Sequence, residues 1–279
     1  MKSFSFFEAL RPFSLVVAVV SCGLGVKLAA PQGALQTGLA VVVILAGLLL
    51  QCGVNLINDK ADLHLLMGNV PEVKTARRRI HYNFRAGLIC FAAAIAIGIY
   101  IAMLRGLSVV EVGLIGVLGA YAYTQEPFNY KRRGLGLVFV FLLMGVLMVQ
   151  GAYLAISGGF SLSVVWHSLP ISCLVSLLLL SNELRDWEKD TVQGTRTLTV
   201  RIGFTNAIRL YWILIAATYL LSGVLLLNGD LSRPYWLLLP LPLLAYVIRY
   251  LNNQNRAPLT SWTGRFLLLF GIGYGLALP

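Results

Sequence analysis

Two short segments of this chain gather acids, amides and cations where the flanking sequence is almost wholly apolar. Ser181-Asn182-Glu183-Leu184-Arg185-Asp186-Trp187-Glu188-Lys189-Asp190 closes one long apolar run. Read as helix, Asn182, Arg185, Asp186 and Asp190 stand at i, i+3, i+4 and i+8, so one face carries an amide, a guanidinium and two carboxylates. Asn55, Asn58, Asp59 and Asp62 stand at i, i+3, i+4 and i+7 at the end of another apolar run, again on a single face. In a chain with 11 acids among 279 residues, two such faces point to a shared divalent cation. Oxygen ligands with neither histidine nor cysteine beside them favour magnesium over zinc or copper. Magnesium keeps several waters and takes one or two carboxylates plus substrate phosphates, so a diphosphate bridged between the clusters is its natural companion. Neighbouring arginines and lysines would neutralise the charge that develops on a leaving diphosphate. A hydrophobic tail on that group would lie among the apolar runs, which describes a prenyl diphosphate.

The elements that must position these faces follow from composition. With 58% hydrophobic residues, 12% charged and a mean hydropathy of +0.80, the chain carries more apolar surface than a soluble core can bury. It reads as an all-α integral membrane protein, because its apolar runs have the length of bilayer-crossing helices rather than of alternating barrel strands. About nine transmembrane helices are expected, roughly over 13–30, 34–57, 84–104, 107–124, 135–157, 162–182, 207–228, 234–250 and 264–279, as one polytopic domain over 1–279. Long loops are expected over 59–83 and 183–206.

Lysine and arginine accumulate on the cytoplasmic side of short loops. With the N-terminus cytoplasmic, that side receives 19 of the 22 cations, leaving Lys27, Arg105 and Arg233 opposite. Both acidic clusters then face the cytoplasm, and a compact chain of this kind fits a prokaryotic inner membrane. The net charge of +11 is therefore mostly a topology signal, with anionic lipid headgroups as the other recipients of the surplus. A nucleic-acid partner is not expected, since the cations sit in short loops between spans rather than on a basic domain. The first run, after Arg11 and Pro12, reads as a retained helix and not a cleaved signal. Cys22, Cys52, Cys90 and Cys173 all fall within expected spans, without a CxxC pair.

Carboxylates near lipid are costly unless paired, hydrated or metal-bound. Snorkelling towards local arginines accounts for any one of these acids; two Asn-plus-Asp faces on one side argue for a site. Gly134-Leu135-Gly136 is a weak phosphate-loop signal, and Gly271, Gly273 and Gly275 read as helix packing. His64, two residues past Asp62, reads first as a solvated loop residue, and His167 as a packing or interface residue.

The pattern Asn-x-x-Arg-Asp-x-x-x-Asp-x-x-x-Gly-x-Arg-Thr-Leu from Asn182 to Leu198 resembles the second aspartate-rich motif of the UbiA superfamily of intramembrane aromatic prenyltransferases. Asn55-x-x-Asn58-Asp59-x-x-Asp62 resembles the first. Tyr121-Ala122-Tyr123-Thr124-Gln125-Glu126-Pro127-Phe128, Gly134-Leu135-Gly136, Val138-Phe139-Val140-Phe141 and Gly151-Ala152-Tyr153 are most similar to the branch acting on 1,4-dihydroxy-2-naphthoate in menaquinone synthesis. The resemblance implies a helix bundle around a lipid-open pocket, with Mg2+ and a polyprenyl diphosphate at its cytoplasmic end.

By that resemblance Asp59, Asp62, Asp186 and Asp190 are metal ligands, and Asn58, Lys131, Asn182, Arg185 and Arg196 hold the diphosphate. Tyr121 and Tyr123 would stabilise an allylic cation or position the aromatic acceptor, and Asp62 and Asp190 join them in the catalytic set. The chain departs from the family pattern at Leu66, over Thr75–Ile80, at Leu137 and at Thr195. Those departures leave a competing reading, a noncatalytic membrane binder of isoprenoid or quinone lipid built on the same fold.

Overall fold

The computed structural model describes residues 4–30, 37–60, 63, 70–123 and 127–279, and all regular structure among them is helical. In chain order the helices are α1 (Phe6–Leu10), α2 (Pro12–Ala29), α3 (Thr37–Asn58), α4 (Pro71–Arg105), α5 (Ser108–Ala122), α6 (Gly136–Val140), α7 (Met148–Ser157), α8 (Leu162–Arg185), α9 (Trp187–Val192), α10 (Leu198–Ile202), α11 (Phe204–Leu227), α12 (Leu244–Leu251) and α13 (Leu259–Ala277). A π-helical stretch over Phe141–Leu147 joins α6 to α7, and two short 3-10 turns, Pro234–Leu238 and Leu241–Leu243, lead into α12.

Helix boundaries fall where the backbone is forced to turn. Pro12 and Pro71 stand in the first turns of α2 and α4, where a missing N–H costs no helical bond. Arg11, between α1 and α2, adopts φ 50° and ψ 65°, a left-handed conformation uncommon for a side-chain-bearing residue. Gly203, at φ 82°, separates α10 from α11.

By length and composition the described residues contain seven helical segments able to cross a membrane, running Phe6–Ala29, Thr37–Asn58, Pro71–Arg105, Gly136–Ser157, Leu162–Arg185, Phe204–Leu227 and Pro234–Leu251. The expected spans over 107–124 and 264–279 are also helical, as α5 and α13; α5, at 15 residues, is short for a crossing. Where they are described, the long loops expected over 59–83 and 183–206 are largely helix. α4 starts at Pro71 and runs for 35 residues, carrying Lys74, Arg77, Arg78 and Arg79 on a rod that continues into the third span. Its first turns bury Ala76 and Ile80 against Phe4, and Asn83 Nδ2 donates to the Phe4 carbonyl at 3.1 Å.

α8 is the central element, with Leu174, Leu177, Leu180 and Leu184 fully buried and α2, α6, α7, α11, α13 and the π stretch packed around it. Its hydroxyls are satisfied inside the bundle: Ser172 Oγ donates to the Ser168 carbonyl at 2.9 Å, and Ser176 Oγ to the Leu137 carbonyl at 3.1 Å. Opposite Ser172, Gly145 of the π stretch has no room for a Cβ, which would lie 2.5 Å from Ser172 Cβ. The widened turn is pinned from its other side, where Ser21 Oγ donates to the Met144 carbonyl at 2.8 Å. Gly271 and Gly273 are likewise held against Val20 and the Trp236 backbone, as expected of packing glycines, while Gly275 faces open space.

Gly145→Val forces α8 and the π stretch apart, an overpacking worth about 1–3 kcal/mol. The expected outcome is a lower melting temperature for the purified variant in detergent, whereas Gly98→Ala, where a Cβ meets nothing within 4 Å and alanine is the better helix former, does not lower it.

Candidate active site

The first polar face forms as the sequence spacing predicts. Asn55, Asn58 and Asp59 are all buried where α3 ends, Asp59 being 1% exposed. The cation that meets them comes from the start of the chain. Arg11 Nη2 lies 3.4 Å from Asp59 Oδ1, and the Asn58 amide, turned with its oxygen towards Arg11, accepts from Nη1 at 2.8 Å. Asn55 Nδ2 holds the same α1–α2 corner, donating to the Leu10 carbonyl at 2.8 Å and to Ser14 Oγ at 2.7 Å. The left-handed backbone at Arg11 is thus braced by its neighbours and aims the guanidinium at α3. Asp62 and His64 lie outside the described residues.

The second face departs from the single continuous helix predicted for it. α8 stops at Arg185, Asp186 turns at φ −95° and ψ 6°, and Asp190 sits on the separate short helix α9. One backbone bond spans the break, from Asp190 N to the Asp186 carbonyl at 2.8 Å. Arg185 is committed within the cluster: it grips Asp186 through Nε at 3.0 Å and Nη2 at 2.7 Å, and its Nη1 donates to Thr260 Oγ1 at 3.3 Å. Burial pushes the Asp186 carboxyl up, but the Arg185 bond and charge, with help from Lys189 and Arg11, hold it below its ordinary value. Arg11 thus contacts the first cluster directly, and its charge adds a smaller contribution at Asp186.

Residues that the sequence spacing did not single out hold this end in place. Glu183 is buried and accepts from Thr199, through its backbone N at 3.0 Å and its hydroxyl, fastening α10 to α8. Arg256 pairs with Glu188, donates to the Leu184 carbonyl at 3.3 Å and lies 4.5 Å from the Phe204 ring, clamping the α8–α9 break. Arg201 donates to the Arg132 carbonyl at 3.2 Å and packs over Gly134, whose φ of 75° and lack of a Cβ admit it. The Gly134-Leu135-Gly136 segment is thus a packing corner. None of these pairs leaves a local sequence signal, because their partners lie far apart in the chain.

Of the two tyrosines, only Tyr123 enters the interior. Tyr121 is 56% exposed and does not line the small cavity behind Tyr123. Positions two apart on a helix point about 200° from each other, so both cannot face one cavity. Tyr123 meets Tyr130 edge-to-face at a 5.4 Å centroid distance, and Tyr130 stacks on Phe139 at 4.3 Å. Burial, then the Glu183 charge, push the Tyr123 phenol up, and burial pushes Tyr130 up to about 12, so both rings stay neutral. Lys131 is half-buried on the corner beside this wall, whereas Arg196 is exposed, its carbonyl accepting from Arg201 Nε at 3.0 Å. Asn182 is half-buried one turn before Asp186.

Behind the aromatic wall lies a small cavity bounded by Gln51, Tyr123, Tyr130, Phe139, Met144 and Met148. It shares Leu50, Gly116, Leu143 and Met148 with an apolar chamber of about 330 Å³ between α2, α3, α4, α5, the π stretch and α7. Ile95, Ile99, Val110 and Leu114 line the chamber and are also exposed on the outer face of α4 and α5, so it opens sideways where lipid would lie.

Among the described residues no three His, Cys, Asp or Glu side chains converge as a ready-made metal cage. What the site holds is a divided set of carboxylate and amide oxygens, from Asn58 and Asp59 on one side and Asn182, Asp186 and Asp190 on the other. That donor set fits magnesium, which takes few protein oxygens and completes its shell with water and phosphate.

A bundle of apolar helices with two acidic clusters above a lateral chamber defines a class of membrane-embedded enzymes acting on lipid-tailed substrates. Residues 16–270 match the UbiA prenyltransferase family, and the chain belongs to that family. It is an integral membrane prenyltransferase. It is 28% identical to UbiA prenyltransferase domain-containing protein 1 of Dictyostelium discoideum, over 94% of this chain and 83% of that protein. It is 25% identical to the 1,4-dihydroxy-2-naphthoate octaprenyltransferase of Bacillus subtilis, over 81% of this chain and 74% of that one. Among solved structures, a UbiA homolog from Aeropyrum pernix superposes with a TM-score of 0.69 at 19% identity, covering 94% of this chain and 95% of its own. A homolog from Archaeoglobus fulgidus, bound to GPP and Mg2+, gives 0.65 at 16% identity, covering 98% of each chain.

Arg185→Gln removes the bond and charge that most strongly hold the Asp186 carboxyl low and leaves burial opposed only by the smaller effects of Lys189 and Arg11. The Asp186 pKa then rises, so the carboxylate is protonated at a higher pH than in the wild type as pH falls. A pH–rate profile of the variant is expected to lose activity on its acidic side at higher pH, with the basic side unmoved.

Proposed function

We propose that this protein transfers a polyprenyl group from its diphosphate to an aromatic quinone precursor of the 1,4-dihydroxy-2-naphthoate class, in a magnesium-dependent reaction. The observation that carries the reading is a pair of acidic clusters, one met by Arg11 at Asp59 and Asn58 and the other by Arg185 at Asp186, in a helix bundle with an apolar, laterally open chamber. The Bacillus subtilis relative, named for its naphthoate acceptor, supports the choice of acceptor. The Archaeoglobus fulgidus homolog, with GPP and Mg2+ bound, supports the donor and the metal. The cation distribution along the chain supports a cytoplasmic site and N-terminus, in a membrane of prokaryotic inner-membrane type, with residues 1–279 acting as one domain.

Asp59, Asp186 and Asp190, with Asp62 beyond the described residues, are the proposed metal ligands; Asn58, Asn182, Arg185, Lys131 and Arg196 complete the diphosphate set. Magnesium, when bound, neutralises the diphosphate as the allylic carbon–oxygen bond breaks. Arg11, which satisfies Asp59 and Asn58, is poised to meet the phosphate oxygens that arrive between the clusters. The faces of Tyr123, Tyr130 and Phe139 stabilise positive charge on the allylic carbon, and the closed wall keeps water from capturing it. A carbon of the electron-rich ring then bonds to that carbon, and the ring regains aromaticity by losing a proton or carbon dioxide. The prenyl tail lies in the chamber, whose aliphatic lining leaves room at small residues such as Ala46, Ala94, Gly98 and Gly113.

Purified protein given prenyl diphosphates and a panel of aromatic acceptors is expected to form prenylated product with magnesium and none with excess chelator. Asp59→Asn and Asp186→Asn are each expected to lower kcat by at least about 100-fold, the scale of a lost electrostatic group; wild-type turnover in both variants would sink the reading. A second expectation concerns chain length. Gly98→Phe enters open chamber space, so the variant should fold normally yet favour shorter prenyl donors in competition assays.

A further inference from the structure

We infer that Gln51 recognises the acceptor ring, its amide oxygen accepting a hydrogen bond from a ring hydroxyl; the inference rests on the aromatic prenyl transfer proposed above. Gln51 lies on α3 one turn before Asn55 and two before Asp59, on the same face, and is 4% exposed. It bounds the small cavity behind Tyr123.

The orientation of its amide follows from the groups around it. Asn55 Nδ2 is committed to the Leu10 carbonyl and Ser14 Oγ, which leaves Asn55 Oδ1 as an acceptor. Gln51 Nε2 takes that place at 3.5 Å, so the other end of the Gln51 amide is its carbonyl, and Oε1 is buried without a hydrogen-bond partner. A buried acceptor left open beside a cavity is costly unless a ligand brings a donor to it. The neighbouring Tyr130 hydroxyl does not supply one, because it donates to the Gly119 carbonyl.

The remaining walls suit a flat ring: Tyr130 and Phe139 offer π faces, and Met144 and Met148 offer polarisable sulfur. The depth is also right. Gln51 is seven residues before Asn58, about 10 Å along the helix, room for the allylic carbon and one ring beyond the diphosphate. The cavity itself admits the hydroxylated edge of a ring, with the body of the ring at the junction with the chamber. An amide oxygen accepts from a hydroxyl and gains nothing from an ionised carboxylate, so the selected class is the hydroxyarene. Hydroxyl donation to Oε1 raises electron density in the ring and faces its nucleophilic carbon towards the allylic carbon.

The test is two-substrate steady-state kinetics on the full-length protein with a hydroxyarene acceptor and with its O-methyl ether, in the wild type, Gln51→Leu and Gln51→Met. Both variants keep the volume and lose the acceptor oxygen. The acceptor KM is expected to rise at least about tenfold in each variant with the prenyl diphosphate KM unchanged, and the wild type to disfavour the ether by a similar factor that the variants no longer show. An unchanged acceptor KM, or a parallel rise in both KM values from loosening of α3, would overturn the assignment. Equal use of hydroxyl and ether by the wild type overturns it without any variant. Absence of product from every hydroxyarene in the wild type overturns the proposed acceptor class as well.

Discussion

A carboxylate buried at the apolar end of a membrane helix is costly unless polar or charged partners meet it, and here one such partner, a guanidinium, comes from 48 residues away. Arg11 closes over Asn58 and Asp59 because α1 ends against α2 in a left-handed turn, and that turn is held by Asn55 from the same helix it serves. The first acidic cluster and the corner of the chain that neutralises it are one unit. Breaking the unit would leave a buried charge uncompensated, which is more destabilising than the pair is stabilising. The second cluster solves the same problem locally, with Arg185 gripping Asp186, and Arg11 reaches across to it through space. In each cluster an acid is thereby met by a guanidinium, Asp59 by Arg11 and Asp186 by Arg185.

The rest of the bundle keeps that balanced end rigid and the space below it open. α8 supplies rigidity through its buried leucines and through serines that hydrogen-bond within the bundle, which lets neighbouring helices approach closely. The π-helical stretch widens one turn on the cavity side, and its freed carbonyl is taken up by Ser21. Glu183, Arg201 and Arg256 fasten the segments after α5 and α8 at the end of the bundle where α8 breaks. Charge above, aromatic rings at the threshold and apolar space behind are the three environments that ionisation, cation capture and tail binding require. Gln51 and Asn55 on α3, and Asp59 just past its end, recur at successive helical turns and tie the small cavity to the first acidic cluster.

Much of the site was legible in the sequence, for a reason particular to membranes. Polar residues are so disfavoured among apolar runs that their clustering stands out, and helical spacing alone put Asn55, Asn58 and Asp59 on one face. Membership of the UbiA prenyltransferase family was legible from the same motifs and is supported by the match over 16–270. Less was legible where two positions are equivalent by composition. Tyr121 and Tyr123 look alike in a list, and only the rotation of α5 sends one outward and the other to the cavity. The loops over 59–83 and 183–206 looked unstructured because charge interrupts apolar periodicity, yet α4 extends through the arginines and α9 and α10 fold against α8.

The amino-acid sequence by itself determined that this chain lives in a membrane as helices, which ends of those helices carry carboxylates, and which family's chemistry they serve. Those properties depend on composition and on spacings of a few residues, which local helical geometry converts directly into faces. Tertiary structure alone decided which cation answers which acid, where the helix after Arg185 breaks, which tyrosine meets the cavity and which buried side-chain carbonyl beside it is left without a partner. Each of these depends on pairs such as Arg11 with Asp59, Glu183 with Thr199 and Arg256 with Glu188, whose energies arise only after distant segments have packed.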